Sequence, residues 1–332
     1  MMERLNYYLK RFGILVITVA IAAGTAGCFS SPSQDLEIRT WYDLNAIRNN
    51  LSGHHVLMND LDYTTDGYGE LAGPTANGGE GWHPIIGSGG DPPFTGTFEG
   101  QGYEIRDLFI NLPGKGYVGL FSIVGEGGHI ENVGLVNADV TGTAYTGGLV
   151  GSNLGTVSNC YSTGSLDGAQ WVGGLVGFSF EEGTVSNSYS TGDVTSDYGA
   201  GGLLGGNIGN VNNSYATGSV ACEEGAGGLV GANSGTVSNS YSTGGVAAND
   251  DVGGLVGYSE GTVSNSFWDI QTSGQSSSAG GTGKTTAQMQ DIATFSDASW
   301  NIIAVGGSGD RNPSYIWNIV TGVSYPFLSW QP

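Results

Sequence analysis

Between residues 143 and 270 apolar residues recur in short settings, and nowhere at helical spacing. One setting is a pair between glycines, "GGLVG", and another is the alternating "TVSNSYS". A third short piece closes each unit on Leu166, Val194, Val220 or Val246. Leucine recurs at 149, 175, 203, 229 and 255, with spacings of 26, 28, 26 and 26 residues. A weaker copy, "GYVGLF", places Leu120 29 residues earlier. Self-similarity at such a period marks a solenoid. Short strands joined by glycine turns, with no room for crossover helices, predict an all-β parallel β-helix in which each copy is one coil. Glycine inside a strand costs roughly 0.5–1 kcal/mol. The ladder between stacked coils offsets that cost, so one copy alone does not fold.

The alternation in "VSNSY" assigns columns. Val157, Val185, Val211, Val237 and Val263 are expected to point inward. Asn159, Asn187, Asn213, Asn239 and Asn265 follow two residues later, with Asn132 and Asp107 in the equivalent place upstream. Amides stacked at one-coil spacing bond to one another, so this column is expected to be an internal structural ladder. Tyr161, Tyr189, Tyr215, Tyr241 and Phe267 come two residues later again. In "GGLVG" the leucine and valine should face opposite sides unless a bulge lets both pack, and the sequence leaves that open.

Both ends of a solenoid need covers. "TWYDLNAIRNNL" reads as a helix capped by Thr40 with Asp43 three residues on, and Leu44, Ile47 and Leu51 share a face. "TTAQMQDIATF" reads as a short helix, and "YIWNIVTGVSYPFLSW" as strand and turn. Six of the seven tryptophans lie outside residues 143–267, which suits apolar plugs at the caps. The expected organisation is a signal peptide at 1–27, a linker at 28–39, an N-terminal cap with first coils at 40–112, the repeat β-helix at 113–270 and a C-terminal cap at 271–332.

The signal segment rests on Arg4, Lys10 and Arg11 followed by the apolar run "FGILVITVAIAAGTAG", shorter than the ~20 residues a membrane-spanning helix needs. "TAGC" resembles the lipobox of bacterial lipoproteins, which implies lipidation at Cys28, an exported chain and membrane attachment only through that anchor. Without residues 1–27 the chain carries 6 Lys+Arg against 29 Asp+Glu, and residues 116–283 contain no Lys or Arg. Nucleic acid is thereby excluded as a partner, since phosphate binding needs cationic side chains. Cys160 and Cys222 lie coils apart, beyond the ~7 Å that a disulfide spans between Cα atoms, so both are expected to be free.

The unit "GGLVG…GTVSNSYSTG" resembles the GLUG repeat of bacterial surface and secreted proteins, which also accompanies streptococcal immunoglobulin A peptidases. "GWHPIIG" and "FTGTFEGQGYEIRDLFI" resemble the usual lead-in of such proteins, and "FWDIQTSGQSSSAGGTGKTTAQMQ" their usual exit. The resemblance implies the fold and is nearly silent on activity.

Candidate chemistry is sparse. "SAGGTGKTT" has Ser278 where a phosphate-binding loop needs glycine, and reads as a loop before a helix. Glycoside hydrolysis needs two carboxyl groups flanking one bond; Asp250 and Asp251 are adjacent on a strand and face opposite ways. No HExxH occurs, and "GHHVLMND" reads as a strand with solvated histidines. The acid pairs Glu181–Glu182, Glu223–Glu224 and Asp250–Asp251 read as solvated charge, with weak calcium binding as their alternative and no cofactor expected. The sharpest site hypothesis is an aromatic stripe. Tyr117, Tyr145 and Trp171 precede successive "VGG"-like strands, Tyr198 comes one residue early, and Gly225 and Asp251 hold the slot later. Outward-facing rings at one per ~4.8 Å rung would suit a neutral glycan; the structural alternative is that they stack on one another over the coil's edge. The expected function is a non-catalytic, envelope-anchored, adhesin-like module for a neutral glycan or a surface protein. A carbohydrate-active enzyme and a structural spacer are its rivals.

Overall fold

Val157 pairs with Val185, Val185 with Val211, Val211 with Val237 and Val237 with Val263, always in parallel and in register. The repeat therefore stacks coil on coil. The structure, a computed structural model, describes residues 35–85, 92–307 and 309–332; Cys28 and the signal segment lie outside them. Asp35–Pro332 forms one unit built on parallel sheets of 9, 15 and 6 strands. The nine-stranded sheet starts with Leu36–Ile38, His54–Leu57 and Thr97–Glu99, then runs through His129–Glu131 and the "TVS" strands to Thr262–Ser264. Leu36–Ile38 pairs with His54–Leu57, so the first rung already lies inside the segment expected to be a linker.

The asparagine column is not internal. Asn132, Asn159, Asn187, Asn213, Asn239 and Asn265 sit at a corner with φ between 47° and 56°, and none is fully buried. Asparagine tolerates this left-handed region better than other residues with a Cβ, because its short amide bonds locally. One amide-to-amide rung is present, from Asn159 Nδ2 to Asn132 Oδ1 at 3.0 Å. Asp107 does not belong to the column: Glu104 pairs with Gly134, which places Gly102, at φ 82°, opposite Asn132.

The corner reverses the alternation, so the next residue turns inward and the tyrosine turns out. Cys160, Ser188, Ser214 and Ser240 are fully buried. Their hydroxyls form the coil-to-coil ladder: the Cys160, Ser188, Ser214 and Ser240 N–H groups donate to the Oγ of the serine one coil on, at 3.1–3.2 Å. A second internal ladder uses another asparagine column, with Asn207 Nδ2 donating to Asn233 Oδ1 at 2.8 Å. In "GGLVG" both columns are internal, since Leu149, Leu175, Leu203, Leu229 and Leu255 and the residues following them are all 0% exposed. The glycine before them permits this tight reversal: a Cβ on Gly201 would lie 1.9 Å from the Leu204 carbonyl oxygen.

At the N-terminal end the helix Trp41–Ala46 carries the expected capping box between Thr40 and Asp43, and buries Trp41 and Leu44. The C-terminal region departs from an end plug. After the strand Thr282–Lys284 extends the last rung, the helices Thr286–Met289 and Ile292–Ser296 lead into a small sheet of Ile302–Ala304, Trp317–Ile319 and Phe327–Leu328. This module lies along the flank, over the tyrosine column. Tyr161, Tyr189, Tyr215 and Tyr241 stack at 4.8–4.9 Å with their planes within 4° of parallel. Trp300, Trp317 and Trp330 pack on them, and Trp330 Nε1 donates to the Asn187 carbonyl at 3.0 Å.

Candidate functional site

The predicted stripe of Tyr117, Tyr145, Trp171 and Tyr198 is assembled but does not present open faces. Tyr117, Tyr145 and Trp171 occupy an unpaired, left-handed position, φ 52–60°, where Ala144 pairs with Gln170 and Thr146 with Val172 while the residue between is skipped. Gly199, Gly225 and Asp251 hold that position in later coils, also at positive φ, and Tyr198 stands one residue before it. Tyr117 and Tyr145 stack at 4.9 Å. Phe178 then meets Tyr145 and Trp171 edge-on, and Tyr198 meets Trp171 edge-on at 5.2 Å. Tyr145, Trp171 and Tyr198 are 4%, 1% and 8% exposed. Burial pushes the Tyr145 hydroxyl above its ordinary range. The rings seal one another over the coil's edge.

The remaining titratable groups are dispersed. His55 is buried rather than solvated, with Nε2 2.8 Å from the Asn50 carbonyl, and burial lowers its pKa. His54 faces Asp35 at 2.8 Å. Asp250 accepts from the Asp251 N–H at 2.9 Å, and Glu181 and Glu182 sit in an exposed turn. Cys160 is a buried free thiol whose pKa burial pushes up to about 12, and Cys222 is a half-buried free thiol. Among the described residues no group of three or more His, Cys, Asp or Glu is placed to hold a metal ion. Thr285 caps the helix after "GGTGK" in a box with Gln288, as expected of a loop leading into a helix.

Among the described residues two surfaces lie open. The first is the outer side of the nine-stranded sheet, where Thr156, Thr184, Asn210, Thr236 and Thr262 form one column. Ser158, Ser186, Asn212, Ser238 and Ser264 form the column beside it. Among the described residues none of these threonine and serine hydroxyls has a hydrogen-bond partner. The column was present in "GTVSNSY" but lay on the face that sequence reasoning left to solvent. The second is an open depression at the N-terminal coils, with Tyr63, Tyr68 and Phe109 among its lining and Asp107, Asn137 and Asp139 at its polar edge. No repeat pattern pointed to it, because Tyr63 and Tyr68 lie in the non-repetitive lead-in.

A family model of the GLUG motif matches residues 142–167 and 168–195. Halomucin of Haloquadratum walsbyi is 33% identical over 173 residues, 51% of this chain and 2% of that protein. A protein of Evansella cellulosilytica described as a Gly-rich membrane protein is 35% identical over 147 residues, 42% of this chain and 15% of that one. The chain thus spans only a small part of these relatives' length. A Bacteroides ovatus crystal structure described as an immunoglobulin A1 protease shares the fold, with a TM-score of 0.64, 21% identity, and 91% of this chain and 94% of that one covered. The corner asparagines, buried serines and paired glycines that stack from 142 to 195 lie in the stretch that the GLUG motif model matches, and the chain is a parallel β-solenoid that carries GLUG motifs there.

Proposed function

We propose that the protein is a non-catalytic binding solenoid of the cell envelope, lipid-anchored at Cys28, that offers its flank to a neutral glycan or a surface protein. The observation that carries this reading is the uncharged outer face of Thr156, Thr184, Thr236 and Thr262 beside Ser158, Ser186, Ser238 and Ser264, whose hydroxyls are left without partners. Such a face can donate to and accept from sugar hydroxyls or peptide groups. With no Lys or Arg between 116 and 283, it has no complement for a polyanion. The polar columns inside the coils are committed to one another and hold the face flat and in register. The names of the relatives, a mucin and a membrane protein, favour a surface location over a soluble enzyme.

The test is retention of the full chain on immobilised neutral and acidic polysaccharides, with wild type compared against a Thr184→Lys, Thr236→Lys variant. Neutral polysaccharide should retain the wild type and lose the variant, while melting falls by no more than about 1 kcal/mol at each of these half-exposed sites. Retention by the variant would remove the face from the reading. Release of reducing ends would make the protein an enzyme, and a blank panel would leave a protein partner or a spacer. Cys28→Ser should abolish acyl labelling and free the protein from membranes; a variant that stays bound with an uncleaved N-terminus would make the leader an anchor helix.

A further inference from the structure

The coils nearest the N-terminus break the repeat at Asp107 and Asn137. Arg106 pairs with Val136 and Phe109 with Asp139, so Asp107 and Leu108 stand against Asn137 and Ala138. One coil further on the register shifts: Leu135 pairs with Ser162 and Ala138 with Gly164, leaving only Thr163 opposite two residues. Asp107 and Asn137 are therefore extra residues relative to the later coils, and both are left-handed, at φ 59° and 55°. A bulge re-aims side chains and ends regular pairing. This one is braced from three sides. Asn137 Nδ2 donates to Asp107 Oδ1 at 2.7 Å, the Asn137 N–H donates to Thr163 Oγ1 at 2.8 Å, and the Tyr68 hydroxyl donates to the Asp107 carbonyl at 2.9 Å.

The bulge forms the polar edge of the open depression, and Tyr63 and Tyr68 contribute its aromatic part. Tyr63 is 68% exposed, the most exposed aromatic ring among the described residues. A ring left in water beside carboxylate and amide acceptors matches a pyranose: its C–H face packs on the ring while its hydroxyls donate to Asp107, Asn137 and Asp139. We propose that this depression binds a neutral saccharide, one or two units at the end of a chain. The inference rests on the reading above that the partner is a neutral glycan, and it adds a discrete site to the long hydroxyl face. Asp107 and Asp139 set it against uronic acids, by like-charge repulsion.

The test titrates the full chain, in mild detergent, with cellotriose, chitotriose and mannotriose, and with trigalacturonate as the anionic control, read by saturation-transfer NMR and calorimetry. At least one neutral trisaccharide should bind, and Tyr63→Ala should weaken it at least tenfold. Asn137→Gly, which keeps the left-handed backbone and removes the amide, should do the same while lowering the melting temperature by no more than about 2–4 °C. Tyr103→Ala, exposed outside the depression, should leave binding intact. Binding unaffected by Tyr63→Ala and Asn137→Gly, or preference for trigalacturonate, overturns the site. If neutral polysaccharide is retained through the hydroxyl face while trisaccharides give no signal, the site falls and the glycan reading stands. If neither binds, both fall.

Discussion

Asn213 separates two roles for the corner column, an amide ladder and a left-handed backbone. Its φ is 48°, and its amide makes one bond, to Asn212 Oδ1 at 3.2 Å. Asn213→Leu forces a side chain without a local hydrogen bond into the left-handed region, at about 1–2 kcal/mol. Loss of the half-exposed amide bond adds about 0.5–1 kcal/mol. Asn213→Gly loses the same bond and about 0.5–1 kcal/mol of chain entropy, but relieves the backbone entirely. Leucine should therefore cost about 2 kcal/mol, and glycine about 1 kcal/mol, because the relieved backbone offsets most of its entropy. At roughly 2–4 °C per kcal/mol for a domain of this size, thermal melts followed by circular dichroism resolve the difference. Asn233→Gly supplies the contrast. Asn233 is fully buried, accepts from Asn207 and donates to Ser259 Oγ at 3.2 Å, so glycine there should cost about 1–3 kcal/mol through stranded partners. If Asn213→Gly melts as low as Asn213→Leu, the amide rather than the backbone is what the corner needs.

Trp171→Ala should lower stability by about 3–5 kcal/mol, as for a buried aromatic, because its ring is 1% exposed and held between Phe178 and Tyr198; an unchanged melt would show that the aromatic cluster opens in solution. His55 is held neutral by burial, with a folded pKa below the ordinary 6.5. The unfolded chain therefore binds its proton first, and stability should fall as pH drops below about 6.5 toward the folded value. Melts at pH 7.5 and 5.5 should differ by more in the wild type than in His55→Asn, and equal differences would remove His55 as the cause.

The coil architecture was legible because identical residues recur at one spacing: Val157, Val185, Val211 and Val237 are fully buried as the alternation requires, and Val263 packs partly buried in the last coil. What alternation cannot show is where φ changes sign. Reading straight through Asn159 put the asparagines inside and left the Cys160 column unassigned, whereas the corner turns Cys160 inward and Tyr161 outward. A signal was present: a column that mixes asparagine with glycine, as Asn132 does with Gly102, is the mark of a left-handed position. The same reading applied to Tyr117, Tyr145 and Trp171 beside Gly199, Gly225 and Asp251 would have shown a skipped residue rather than a regular strand slot. The depression was not legible, since it joins Tyr63 and Tyr68 of the lead-in to Asn137 of a coil, and no periodicity links them. His55 was misjudged because its neighbour His54, one residue away on the same strand, takes the solvent side.

Stacked repeats ordinarily interact only with their neighbours, so copies can be gained or lost without consulting the rest of the chain. The C-terminal module removes that freedom here. It returns from the last rung to lay Trp330 on Tyr161 and Tyr189 while Trp300 and Phe295 meet Phe267. Its span thus measures the tyrosine column from one end to the other. An in-frame duplication of one coil would leave a tyrosine bare, and a deletion would leave a tryptophan with nothing to cover. The number of coils is therefore tied to the module, which either fits the column or does not. A stack that could otherwise lengthen coil by coil is held by this module to one length.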